Sequence, residues 1–195
     1  MGQKFGIPVI HLSVRPLVHL PTDLVEAVWL SYNLHGSPFS MDLPTFKSIF
    51  TFAEQGKVVK YFDPGIVDLD ALFEVFDDDL SGSIDACEFL ATLAVLSSMD
   101  TLEKISFVFN LFDFEENGWV AEEVLVLMMR AVCCGIRKTD AGQDPDAEWV
   151  EGSSSVLHES IELSVSAGFE VDVFLAQSDS IAHLLCQPMS GGPEE

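Results

Sequence analysis

Basic residues are scarce in this sequence: nine lysines and arginines stand against 32 aspartates and glutamates, a formal net charge of −23 over 195 residues. Nucleic acids and anionic membrane surfaces reward Lys and Arg, so neither is expected as the main partner. A basic partner or a bound cation is favoured instead. Cysteine is sparse too. Cys87, Cys133, Cys134 and Cys186 do not make a disulfide framework, and the adjacent Cys133 and Cys134 lack a second Cys or His pair to complete a zinc site. They read as reduced core residues. Long apolar runs are missing: none approaches the roughly 18 residues of a membrane span, and the richest, Val124 to Ile136, is interrupted by Arg130. The short apolar run from Phe5 lacks the small-residue cleavage pattern of a signal peptide. The expectation is a cytoplasmic protein without membrane association. There is no nucleophile–base pair, phosphate-cradling glycine loop or paired-carboxylate cleft, so no enzyme is expected.

What is present is enough apolar sequence to fold (48%) and an uneven distribution of acid. Residues 63–98 carry nine acidic residues and no basic one, and residues 139–195 carry twelve and none. Pro8, Pro16 and Pro21 among β-branched residues predict an extended N-terminal arm over 1–22. From there the apolar spacing is helical and the fold class is all-α. Asp23 and Glu26 suggest a capping pair for a helix near 24–34, and a second helix starts near Asp42. Asp63-Pro64-Gly65 opens a third, with Ile66, Leu69, Leu72, Phe73 and Phe76 on its apolar face. Helical spacing resumes at Phe89, Leu90, Leu93 and Leu96. Asp100 and Glu103 form a capping box for the next helix, and Val124 to Val132 belong to another. Two acidic, glycine-containing loops, starting at Asp77 and Asp113, break this pattern. Residues 139–155 read as an acidic linker and 188–195 as a disordered tail.

The loop at 77–88 reads Asp-Asp-Asp-Leu-Ser-Gly-Ser-Ile-Asp-Ala-Cys-Glu. A calcium ion takes about six to eight hard oxygens in a flexible shell. Asp77, Asp79 and Ser81 stand at positions 1, 3 and 5, and Gly82 at position 6 allows the sharp turn. The carbonyl of Ser83 supplies position 7, Asp85 at position 9 acts through water, and Glu88 at position 12 closes the shell with two oxygens. Ile84 has the β-branched side chain needed for a short strand bridge. Every ligand position of the calcium-loop template is filled.

In the second loop, Asp113, Glu115, Asn117 and Gly118 hold positions 1, 3, 5 and 6, Trp119 offers its carbonyl, and Val120 is at the strand position. Position 12 is Val124, which cannot ligate. Losing the bidentate carboxylate removes two of about seven oxygens. The loop therefore reads first as a structural unit that keeps its helices, and second as a weak site using Glu123. One calcium site is expected, with the second doubtful.

On these loops and their flanking helices, chiefly residues 66–135, the chain resembles the calmodulin superfamily of EF-hand proteins, in a four-hand layout similar to neuronal calcium sensors and calcineurin B-like proteins. The resemblance implies that hands pair into lobes: an N-terminal pair over 23–98, and a C-terminal pair over 99–187. It implies a degenerate first hand around Gly36, where either Phe39 or Met41 fits the strand position. A degenerate fourth hand would have Phe169 to Phe174 leading into its closing helix, after a ligand-poor loop at Glu162 to Gly168. In such proteins Met128 and Met129 would line a groove for a target helix, or else fill core. His11, His19, His35, His158 and His183 show no metal spacing. Met1-Gly2 resembles a myristoylated start, but Gly6 stands where Ser or Thr is required. The expected function is a calcium-binding regulator that engages a basic amphipathic helix, as a subunit of a hetero-complex. The alternative is a constitutive light-chain-like subunit of a ciliary axoneme, motor or phosphatase-type assembly.

Overall fold

A computed structural model describes residues 10–36, 39–54, 67–141 and 169–170. The expected helix opening at 63–66, most of the acidic linker, the closing helix after 170 and the tail at 188–195 lie outside them. So do Cys186, His158 and His183. The described residues are helical, with short two-residue or three-residue strands, which is the expected all-α EF-hand fold with strand bridges. They divide into two compact units: residues up to Met99 together with 134–141, and residues 100–133 together with 169–170.

In the first unit the elements run α1 (Thr22–Leu34), β1 (Ser40–Asp42), α2 (Leu43–Glu54), α3 (Leu69–Phe76), β2 (Ser83–Asp85) and α4 (Ala86–Leu96). Local chemistry sets most of the helix starts. Asp42 Oδ1 accepts the Thr45 amide at 2.9 Å, and Asp68 Oδ1 accepts the amides of Asp70 and Ala71 at 3.1 Å. The α3 helix thus starts at Leu69 under an Asp68 cap. At α1 the anticipated Asp23 cap gives way to Pro21, whose fixed φ suits the residue before the first turn. Asp23 sits inside that turn, where its charge favours the helix dipole.

Strands β1 and β2 pair antiparallel, with Met41 opposite Ile84 and both side chains buried. Beneath them Phe46 and Phe50 of α2, Phe73 and Phe76 of α3, and Phe89 of α4 meet edge-to-face, at centroid separations from 4.9 to 6.0 Å. Residues 10–21 are less extended than their prolines suggested. They form a single turn of 3-10 helix at Arg15–Leu17 and bury Val14, Leu17 and Leu20. His19 N donates to Leu96 O (2.8 Å), and Ser98 N to Leu20 O (2.9 Å).

The second unit holds α5 (Thr101–Phe112) and β3 (Trp119–Val120), with β4 (Phe169–Glu170) pairing antiparallel to β3. The capping box at Asp100 and Glu103 forms as expected, with both reciprocal bonds at 2.9 Å. The α6 helix (Glu122–Thr139) begins in this unit, and its residues from Cys134 onward count with the first. Among the described residues no helix is long and apolar enough to cross a membrane.

Candidate metal centre

Loop 77–88 leaves α3 at Phe76 and enters α4 at Ala86. Its turn depends on two left-handed residues, Leu80 (φ 56°) and Gly82 (φ 79°). Glycine adopts that conformation without strain; leucine does so at a cost. The tight turn aims the Gly82 amide at Asp77, whose Oδ2 accepts it at 3.0 Å. The Ser81 hydroxyl lies 3.3 Å from Asp77 Oδ1 and 3.0 Å from the Ser83 carbonyl. Positions 1, 5 and 7 therefore gather around one hydroxyl. Asp79 joins them through the Ser81 amide (3.1 Å), and hydrogen bonds from Ser81 hold its carboxyl below the ordinary range.

Asp85 and Glu88 face elsewhere. Asp85 Oδ1 caps α4 by accepting the Glu88 amide at 2.8 Å. Glu88 is paired with Lys138, whose Nζ is 2.8 Å from Glu88 Oε1 and 2.9 Å from Asp78 Oδ1. The same ammonium donates to the Phe76 carbonyl at 2.9 Å. Burial pushes the Glu88 carboxyl up, and Lys138 opposes that shift only in part. For Lys138, desolvation pulls the ammonium down, but Glu88 and Asp78 outweigh it and the net shift is upward. The Glu88 contact is an ion pair rather than an aligned hydrogen bond, so Oε1 is a buried oxygen with no hydrogen-bond partner.

Among the described residues no three acidic, His or Cys side chains converge as a ready metal cage. The five carboxylates of this loop carry like charge, and each is held by a local donor or by Lys138. The donor set nevertheless suits a hard cation: carboxylate, hydroxyl and carbonyl oxygens on a glycine-hinged turn. Asp77, Asp79, Ser81, Ser83, Asp85 and Glu88 would hold calcium.

The loop from Asp113 repeats this backbone. Glu116 (φ 53°) and Gly118 (φ 75°) are left-handed at the positions of Leu80 and Gly82. Asp113 Oδ2 accepts the Gly118 amide at 2.7 Å, and Asn117 bridges Glu115 Oε2 (3.0 Å) and the Trp119 amide (2.9 Å). At the closing position Val124 is half-buried, while Glu123 beside it is exposed on the first turn of α6. The turn is thus kept by internal hydrogen bonds that need no twelfth-position ligand.

The strand pairing decides the first hand's register. Ile84, at position 8, faces Met41, so Met41 and not Phe39 fills the strand position; Phe39 is exposed. Phe169 lies opposite Val120 in the other pair. Met128 and Met129 are buried and do not offer a groove surface. His35 is structural, with Nδ1 2.7 Å from the Ser31 carbonyl and Nε2 3.1 Å from Ser48 Oγ, linking α1 to α2. Lys138 and the neighbouring Gly135 were not foreseen from sequence. The available hint was that Lys138 is the last basic residue before a wholly acidic stretch.

Helix–loop–helix pairs, strand bridges between paired loops and an oxygen-lined glycine turn define EF-hands. No family model matches the chain. It is 42% identical over 65 residues to calcium-binding protein K of Dictyostelium discoideum, covering 33% of this chain and 34% of that protein. Calcium-binding protein J of the same organism is 38% identical over 74 residues, covering 37% of each. Human lysophosphatidylcholine acyltransferase 2 is 34% identical over 151 residues, covering 67% of this chain and 28% of the acyltransferase. The chain thus spans about a third of the length of the first two relatives. The likeness to proteins J and K supports an EF-hand calcium-binding family for the chain.

Proposed function

We propose that this chain is a calcium-binding regulatory module with one competent hand, 77–88, in a four-hand layout of the kind found in neuronal calcium sensors and calcineurin B-like proteins. One observation carries the reading. Asp77, Ser81 and the Ser83 carbonyl already gather within hydrogen-bond reach on a left-handed Leu80–Gly82 turn. Two relatives named as calcium-binding proteins support it. The match with the acyltransferase covers 28% of that protein, and we read it as a shared regulatory module rather than a shared activity.

The partner in this reading is a basic amphipathic helix. The chain's charge of −23 complements it, and exposed apolar side chains are available: Leu30, Leu34 and Phe39 in the first unit, Leu102 and Leu127 in the second. Calorimetric titration of the full chain with calcium tests the metal assignment. Wild type should bind one ion with a Kd of ~10⁻⁷–10⁻⁵ M, and Glu88→Gln should bind at least 100-fold more weakly, since it loses a charge and the bidentate closure. Equal heats in the two proteins would overturn the assignment.

A second reading is favoured by the loop at Asp113, which keeps its geometry without a closing carboxylate, and by the burial of Met128 and Met129. On that reading the chain is a constitutive light-chain-like subunit of a cytoplasmic or axonemal assembly. A synthetic basic amphipathic peptide separates the two. Binding that requires calcium and fails in chelator supports the sensor; equal binding in both supports the constitutive subunit.

A further inference from the structure

Lys138 bonds to both sides of the competent hand at once. Its ammonium takes the carbonyl of Phe76, the last residue of the entering helix α3, and the carboxylate of Asp78 just beyond it. It also pairs with Glu88 in the first turn of the exiting helix α4. A cation at the C-terminus of α3 is favoured by the carbonyls left open there. Asp78 is at position 2 and is not a ligand, whereas Glu88 is the residue whose two oxygens would close the calcium shell.

The approach of the helix bearing Lys138 is made possible by Gly135, one turn earlier on the same face. A Cβ at Gly135 would strike the Thr92 hydroxyl and come within 2.9 Å of the Glu88 carbonyl. Glu88 and Thr92 are themselves one turn apart on α4, joined by a 2.8 Å bond from Thr92 Oγ1 to Glu88 O. Glycine against threonine and lysine against glutamate therefore form two adjacent steps of one helix contact. The Thr139 carbonyl, next to Lys138, accepts the His11 amide at 2.8 Å, so the N-terminal segment is tied to the same turn.

We infer that Lys138 is an intramolecular counter-ion that competes with calcium for Glu88, so that calcium binding must release the last turn of α6. The inference rests on the calcium reading of loop 77–88. Bidentate closure uses both Glu88 oxygens at about 2.3–2.6 Å from the ion. An ammonium 2.8 Å from Oε1 would be repelled by a divalent cation held on the same carboxylate. Binding therefore costs the Glu88–Lys138 pair and loosens the tie between α3 and α4. By linkage, the latch lowers calcium affinity by the same factor that calcium weakens the latch. The affinity of the hand is then set by a residue 50 positions beyond its closing glutamate.

The test uses the full chain, calcium alone and two readouts. Lys138→Met keeps the stem and helix propensity but removes the charge, and should tighten calcium binding roughly tenfold, within the usual span of site-to-site couplings. Lys138→Arg should stay near wild type. Hydrogen exchange on wild type needs no variant: amides 134–140 should exchange several-fold faster with calcium than in chelator. Gly135→Ala, which forces α6 off α4, should move affinity in the same direction as Lys138→Met. If wild type binds calcium but Lys138→Met binds no more tightly and amides 134–140 do not respond, the latch is wrong while the calcium site stands. If wild type, Lys138→Met and Glu88→Gln all give no binding heat, the calcium reading falls and takes the latch with it.

Discussion

Replacing Phe89 with alanine probes how the hand's two helices are held together. Phe89 follows Glu88 on α4, is 1% exposed, and meets three other rings. Phe46 lies 4.9 Å away, Phe76 5.1 Å and Phe50 6.0 Å, all steeply inclined to it. Truncating a buried Phe to Ala costs about 3–5 kcal/mol through lost transfer energy and the residual cavity. Edge-to-face pairs are worth about 0.5–1.5 kcal/mol each beyond burial. The neighbours come from both α2 and α3, so no single helix can move in to fill the space. The expected loss is therefore near the top of the range, about 4–5 kcal/mol, or roughly 8–20 °C in Tm for a chain of this size. Against a typical total of about 5–15 kcal/mol, the variant would be close to unfolding. Urea and thermal unfolding followed by circular dichroism measure it. Phe89→Leu, which refills most of the volume, should cost roughly half or less, and Leu102→Ala, on an exposed site, about 0.5 kcal/mol or less. A loss below about 1.5 kcal/mol for Phe89→Ala, or one no greater than for Leu102→Ala, would refute the view that this ring is the hub of the first unit.

Two other perturbations follow from local geometry. Leu80 is 84% exposed at φ 56°, so Leu80→Asn gives up little packing and relieves a conformation that costs leucine about 1–2 kcal/mol. The urea midpoint should rise by the equivalent of about 0.5–1 kcal/mol, and a fall would mean that Leu80 packs against something. Burial, with a smaller contribution from the Asp85 carboxylate, pushes the Cys87 thiol up to about 12. Because the folded pKa is above the unfolded value, the stabilisation from the neutral thiol is complete below about pH 9 and is lost as pH rises towards 12. Wild type should lose stability relative to Cys87→Ala across that window, and iodoacetamide at pH 9 should modify the half-buried Cys133 and Cys134 well before Cys87. Equal rates at all three would refute it.

How much was legible in the chain tracks how far each interaction reaches. The Asp100–Glu103 capping box spans three residues, and both its bonds form as written. The turn at Leu80–Gly82 and its repeat at Glu116–Gly118 follow from aspartate and glycine spacing, because Asp77 and Asp113 reach an amide only five residues on. The start of α1 was read late, because Asp23 resembles a cap whereas the helix begins at Thr22, after a Pro21 that makes no side-chain capping bond.

By itself, then, the sequence determined the all-α class and the glycine turns of the two acidic loops, because these rest on contacts within a turn or two of helix. Only the tertiary structure decided that Met41 rather than Phe39 fills the strand position, since that depends on which residue lies across from Ile84. It also decided that Met128 and Met129 go to core. Above all it decided what Glu88 faces. A buried carboxylate must find a counter-charge from some part of the chain, and no local pattern says which; here it comes from Lys138, carried in on a helix that a single glycine lets close.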